Sequence, residues 1–388
     1  MDDVIIIGSG PGGGTAACAL RLRGLRVTII ERESHPRAKI CAGGLPPKAI
    51  AALPIDVSRV TEQKIERIRF GFRGRSPFEL SFARPVVHMV RREQLDRLLY
   101  EKAIGLGAIV RQSERALELR EEKGVVTVET DKRRYRARLA IAADGAGGLG
   151  ARLLGREGTR VCPAMQIEVR ARPELQDSWA QTIACDFGVV PGGIGWLFPK
   201  RASLSVGVCA FVKGANLRAA LRLWLDILGL DAPKPFEPRA HPLPTWNGRR
   251  RFSRGPILVA GDAAGLVNPL TGAGIRRAAV SGRLAAEAAC AYLAGGAVST
   301  RDLAAYDRRV NHELVCELRR AWILARIFYS APALFYRLAV ANARMNPWVE
   351  QLLTGQKSYL EVFAELLTGR WPARKAEGKA GQRGTLVH

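Results

Sequence analysis

A chain of 388 residues, 47% of them hydrophobic, is long enough for two packed domains and too apolar to be a disordered linker. Its seven cysteines are scattered, with no CxxC pair and no clustering with histidine, which argues against a zinc site or a disulfide framework and fits a reducing compartment. The formal net charge is +24, yet no nucleic-acid module is recognisable, so solvated basic surface is expected first, an anionic membrane surface second and nucleic acid a distant third.

Residues 3–7 (Asp-Val-Ile-Ile-Ile) form a short apolar run of the kind that fills a buried parallel strand. Because Met1 leads directly into it, no secretory leader is expected, and the protein is read as cytoplasmic. A glycine-rich turn, a helix to about Leu22 and a second strand at Val27–Ile30 complete a βαβ unit. Residues 33–57 read as loop with a short helix, 64–90 as strands, 92–106 as a helix, and 109–119, 124–130 and 137–143 as strands. Strands are expected again over 162–212 and a helix over 215–229. Proline-rich loops (Pro233, Pro235, Pro238, Pro242, Pro244) follow, then a strand at 256–260 and a long helix from about 274 to 293. The segment 302–368 is helical in pattern, and the tail after Pro372 lacks apolar periodicity and reads as disordered.

The turn Gly8-Ser9-Gly10-Pro11-Gly12-Gly13 fits GxGxxG between strand and helix, with Glu31 ending the second strand. Gly8 permits the tight turn, Gly10 lets the backbone approach a pyrophosphate, and Gly13 lets the helix pack close to the sheet. The pyrophosphate then lies on the positive end of the helix dipole, and Glu31, with Arg32 beside it, can accept hydrogen bonds from a ribose. This unit predicts an adenine dinucleotide without choosing between FAD and NAD. The run from Pro256 to Ile275 makes the choice. Its strand ends in Gly261-Asp262, placing a carboxylate where it suits the ribitol hydroxyls of a flavin. After Pro269 and Gly272 a helix begins near Gly274 and Ile275, and its N-terminus can stabilise negative charge on a reduced isoalloxazine.

With these motifs the chain resembles the geranylgeranyl reductase family of FAD-dependent prenyl reductases, which share the para-hydroxybenzoate hydroxylase-like fold. The resemblance also rests on Lys39-Ile40-Cys41-Ala42-Gly43-Gly44-Leu45, on Arg92 to Asp96, on Ala143-Asp144-Gly145-Ala146 and on Leu353 to Tyr359. It implies an α/β chain: a Rossmann-type FAD-binding domain (1–65, 85–158, 253–300), an inserted, mostly antiparallel β-sheet substrate domain (66–84, 159–252) and a C-terminal helical region (301–372), with a tail at 373–388. Contacts to FAD are implied for Gly12, Glu31, Cys41, Ala42, Gly44, Arg92, Ala116, Asp262, Gly274 and Ile275. Arg92 makes sense unaided, since a guanidinium fork can bridge phosphate and ribose oxygens. In the Asp-Gly motif, Gly148 and Ala151 stand where the family usually has serine and arginine, which puts a pairing role there in doubt.

Gly195-Trp196-Leu197-Phe198-Pro199, with Gly207 after it, resembles the family's lining of an isoprenoid cavity, although Ile194 replaces a tyrosine and Cys209 a glycine. Trp196 and Phe198 offer dispersion contacts to an alkene chain. Both also fit an ordinary strand core, and flavin-dependent halogenases carry a similar motif. Cys41 is the cysteine with a chemical reading, either tuning the flavin or assisting proton delivery, with a packed thiol as the alternative. The helices over 319–344 are apolar with basic punctuation and broken at Arg326, Pro332 and Arg337. They fit either an interfacial, peripheral contact with a membrane or a cover over the substrate cavity. The expected activity is hydride transfer from reduced flavin to a prenyl double bond, with a flavin monooxygenase or a quinone-directed electron carrier as alternatives. No separate nicotinamide-binding domain is expected, so the reductant, NADPH or a ferredoxin-like donor, is open. A monomer is expected.

Overall fold

The strand β1 (Asp2–Ile7) takes the middle of an eight-stranded sheet because Val4, Ile5 and Ile6 can be fully buried on both faces. The computed structural model describes residues 1–155, 158–212, 214–294, 300–337, 346–354 and 356–368. On one side β1 pairs in parallel with β2 (Val27–Ile30), and on the other with the strand Arg134–Ala142. The strands Ile109–Arg111 and Ile257–Val259 extend the parallel set on the two flanks. The order therefore reverses beside β1, and the carboxyl ends of β1 and Arg134–Ala142, at Gly8 and Ala143, open the crevice where ligands bind in such sheets.

Helix α1 (Pro11–Arg21) packs against the long helix Ile275–Ala294 at backbone distance. A Cβ on Gly282 would overlap the Gly12 carbonyl, and one on Gly12 would come within 3.3 Å of the Ala278 carbonyl oxygen. Small residues in both segments thus bring the two helix N-termini to the same crevice.

A second sheet of seven strands is antiparallel except where Thr182–Phe187 runs parallel to Arg67–Phe72. A third, three-stranded sheet ties the Cys41 loop down: Gly44–Leu45 pairs with Val87–Val90, and the Val90 N–H donates to the Gly43 carbonyl at 2.9 Å. From the C-terminal region, Tyr336 is buried and donates to the Ser76 carbonyl at 2.8 Å, while the Trp348 indole donates to Glu365 at 2.7 Å. The helix Cys316–Ser330 lies nearby and leaves Ile323 and Ile327 exposed. No described helix is long and apolar enough to cross a membrane.

Three expectations need correction. The proline-rich stretch is not all loop: Arg239–Trp246 is a strand, with Pro242 and Pro244 inside it. It lies at the sheet edge, pairing along its length with Thr159–Val169 and by one bridge at Thr245 with Val267, and an edge strand tolerates missing N–H donors. The stretch 162–212 is not all strand, because Pro173–Ser178 forms a short helix with proline in its first turn. The basic residues, expected to form solvated surface, include Arg249, which is buried and donates to the carbonyls of Leu154 at 3.0 Å and Gly155 at 2.5 Å. The expected disordered tail lies outside the described residues, as do 338–345 of the C-terminal helices.

Candidate active site

A cavity of about 1120 Å³ runs from the crevice at Gly8 to the face of the seven-stranded sheet. Its first half is polar and cationic. Gly8 has φ +93°, and a Cβ there would come within 2.6 Å of the Ala143 carbonyl oxygen, so only glycine fits this turn. Gly10 and Gly12 line the cavity, while a Cβ on Gly13 would overlap the Gly8 carbonyl. Gly13 therefore serves helix–strand packing behind the wall.

The Glu31 carboxylate accepts from the Ser9 N–H at 2.9 Å and the Ser9 hydroxyl at 2.6 Å, and Arg37 stands 3.4 Å away. Burial would raise its pKa, but the Arg37 charge and the Ser9 bonds outweigh that and hold it below the ordinary value. Arg92 grips Asp96 with two bonds of 2.9 Å, one helical turn along, and Arg37 reaches the same carboxylate at 3.1 Å. Cys41, on the loop facing this helix, is a close electrostatic neighbour of the Arg92 guanidinium. Arg32 lies at the rim, largely exposed and turned to Glu33.

Asp262 sits in a short turn after the strand Ile257–Val259. Among the described residues nothing donates to its carboxylate, which lines the cavity beside Gly274 and Ile275 at the start of the long helix. Lys39 approaches from the Cys41 loop, and its Nζ lies 3.0 Å from Nε2 of His241 on the edge strand. Asp144 is half-buried on the cavity wall, and its carboxylate accepts from the N–H groups of Leu149 and Gly150. That answers the doubt over the Asp-Gly motif: the carboxylate caps the helix Leu149–Leu154 in place of a side-chain partner.

The far half is apolar and aromatic. Trp196 and Phe198 line it with Ile183, Phe187 and Phe328. The Trp196 indole N–H is buried without a partner among the described residues. Phe198 packs on the Cys41 loop so tightly that a Cβ on Gly44 would come within 2.9 Å of its ring. Gly207 does not line the cavity; it leaves room for Trp196 from the neighbouring strand.

The remaining residues singled out in the sequence, Ala42, Gly44, Cys41 and Ala116 among them, line the same cavity. The sequence reading missed Ser9, Arg37, Lys39, Asp96 and His241. Asp96 had a signal, its i+4 spacing from Arg92 on a helix. His241 had none while its strand was taken for loop. The group that fits is a flavin dinucleotide: glycines leave a cradle at a helix N-terminus, Arg37, Lys39 and Arg92 face it beside Glu31 and Asp96, and Asp262 is an open acceptor further along.

Comparison with known proteins agrees. Residues 1–312 match the FAD binding domain family. Digeranylgeranylglycerophospholipid reductase 1 of Methanopyrus kandleri is 32% identical over 335 residues, covering 80% of this chain and 86% of that protein. This chain belongs to the geranylgeranyl reductase family. The chloroplastic geranylgeranyl diphosphate reductase of Arabidopsis thaliana is 31% identical over 360 residues, covering 85% of this chain and 75% of its own length. A geranylgeranyl bacteriochlorophyll reductase-like protein from Thermoplasma acidophilum has the same fold, with a TM-score of 0.75 at 21% identity over 95% of this chain and 98% of that one. As a member of the geranylgeranyl reductase family, the chain is an FAD-dependent oxidoreductase with a para-hydroxybenzoate hydroxylase-like α/β fold.

Proposed function

We propose that the protein reduces carbon–carbon double bonds of a prenyl chain carried on a lipid, quinone or pigment. The observation that carries this reading is the continuity of the cavity: a cationic dinucleotide half opens without a partition into an aromatic half poor in hydrogen-bond partners. FAD, when bound, supplies hydride to the alkene. Glu31 and Ser9 hold the adenosine end, Arg37 and Arg92 the pyrophosphate, and Asp262 the ribitol. Gly8, Gly10 and Gly12 admit the backbone contact, and Ala42, Gly44, Ala116, Gly274 and Ile275 complete the wall. Trp196 and Phe198 align the chain and exclude water, so that the transferred charge meets a low dielectric. Cys41, which lines the cavity between Arg92 and Phe198, is the side chain we assign to proton delivery.

The same reading extends to the substrate's head. Lys48, Arg276, Arg277, Arg320 and Lys357 line the cavity, with Glu317 taking Arg276 at 2.9 Å and Arg277 at 2.6 Å and Glu365 taking Lys357 at 2.6 Å, five cations to two carboxylates. That surplus suits a phosphate or diphosphate head, in keeping with the diphosphate and phospholipid in the relatives' names. Exposed Ile323, Ile327 and Leu334 near this rim support peripheral contact with a bilayer from which such a lipid enters. Flotation with anionic liposomes tests the contact, and absence of binding rejects it.

The activity is tested by reducing the purified flavoprotein anaerobically and adding a geranylgeranyl lipid. Reoxidation with a saturated product supports the reading. Reoxidation that needs oxygen and yields a hydroxylated product makes the protein a monooxygenase. Reoxidation by quinone alone makes it an electron carrier.

A further inference from the structure

We propose that Lys39 and His241 form a positioning pair that holds one fixed positive charge against the bound FAD and so favours its reduced, negatively charged form. This goes beyond the prenyl reading and rests only on FAD being the cofactor.

The two residues come from opposite sides of the cavity. Lys39 belongs to the loop that carries Cys41, two residues further on, and His241 to the edge strand of the seven-stranded sheet. Across their 3.0 Å contact one nitrogen donates and the other accepts; with lysine as the ammonium donor, Nε2 accepts and the neutral ring carries its own proton on Nδ1. Burial is the largest cause lowering the pKa of both groups, Asp262 acts against it, and the 3.0 Å contact between the two nitrogens itself leaves room for one charge and not two. The groups facing Lys39 are Asp262 and Cys41, which favour its charge, and Arg92 and Arg37, which oppose it. Those facing His241 are Lys39, Asp262 and Arg92.

The charges of Arg92 and Arg37, which face the pyrophosphate, are offset in part by their ion pairs with Asp96 and Glu31. Among the described residues no carboxylate forms an ion pair with Lys39, so its charge is directed at whatever occupies the cavity. Its place matters as much as its charge. His241 stands opposite Ala164 on the adjacent strand, and both line the cavity where the polar half meets the apolar half. A dinucleotide anchored at Glu31 must bring its redox ring to that boundary to meet an apolar substrate. Two electrons and one proton entering FAD from a reductant leave it with one negative charge more. A preorganised cation in a low-dielectric wall stabilises that charge without reorganising. His241 acts through Lys39, fixing where the ammonium points.

The test is the midpoint potential of the holoprotein, measured by anaerobic dithionite titration against a reference dye. Lys39→Met is expected to shift the equilibrium at least tenfold towards oxidised FAD, about 30 mV more negative for a two-electron couple. Lys39→Arg should restore most of the shift, and His241→Gln should move the potential in the same direction by less. An unchanged potential in Lys39→Met that binds FAD stoichiometrically overturns the proposal. A loss in Lys39→Arg as large as in Lys39→Met also overturns it, because it marks packing and not charge. Should Lys39→Met fail to retain FAD, His241→Gln decides alone, and an unchanged potential there rejects the pair.

Discussion

The Trp196 indole lies across the backbone of Gly207 on the neighbouring strand, occupying the space in which a side chain at 207 would start. The glycine therefore acts on the cavity through the tryptophan, without lining it. Gly207→Val is expected to displace the indole while leaving FAD content unchanged. Overpacking costs of about 1–3 kcal/mol put the loss in kcat/KM towards a prenyl substrate at roughly tenfold or more. Steady-state kinetics beside the flavin absorbance of the purified variant check this.

Asp96 neutralises two buried guanidiniums, and Asp96→Asn would leave Arg92 with no full counter-charge. Breaking a buried pair on one side costs about 3–5 kcal/mol, so the apoprotein should unfold at clearly lower urea. Added FAD should recover part of the loss, because its pyrophosphate can take the freed guanidiniums. Urea midpoints with and without FAD measure both effects.

Asp262 behaves in the opposite way. With nothing donating to its carboxylate among the described residues, Asp262→Ala should leave apoprotein stability nearly unchanged. Hydrogen bonds to a charged group contribute about 1.5–3 kcal/mol, so FAD affinity should fall roughly ten- to a hundredfold. Fluorescence titration of apoprotein with FAD gives the number.

Stability should also depend on pH in a defined direction. Burial and the Lys39 charge lower the His241 pKa in the folded apoprotein, so the unfolded ring binds protons more readily. The contribution is complete above the ordinary imidazole value of about 6.5 and is lost as pH falls from there through the folded value. The carboxylates Glu31, Glu168 and Glu317 are also held low, so their contributions are present above about 4.3 and lost below it. Melting temperatures should therefore decline between pH 7.5 and 5 with a shallower slope in His241→Gln.

Much of this site was legible because its signals are local. The glycine turn, Glu31 at the end of β2 and the Asp262 turn each need only a strand and the residues after it. What escaped comes from segments joined only by the fold. Ser9 meets Glu31 across the crevice, Arg37 reaches Asp96 on a separate helix, and Lys39 meets a histidine 202 positions away. The strand bearing that histidine was hidden by its prolines, which mark loops in most contexts and are tolerated here because the strand is an edge. Gly207 was placed among the substrate residues, yet it works by the volume it leaves to Trp196, which its motif does not reveal.

The most direct test of prenyl reduction is stoichiometry. Under strict exclusion of oxygen, fully reduced holoprotein is mixed with an excess of a geranylgeranyl lipid, and reoxidation of the flavin is counted against the hydrogens gained by the lipid in mass spectrometry. One double bond saturated for each flavin reoxidised is the predicted result. A flavin that stays reduced until oxygen or quinone is admitted, with the lipid unchanged in mass under anaerobic conditions, would contradict it.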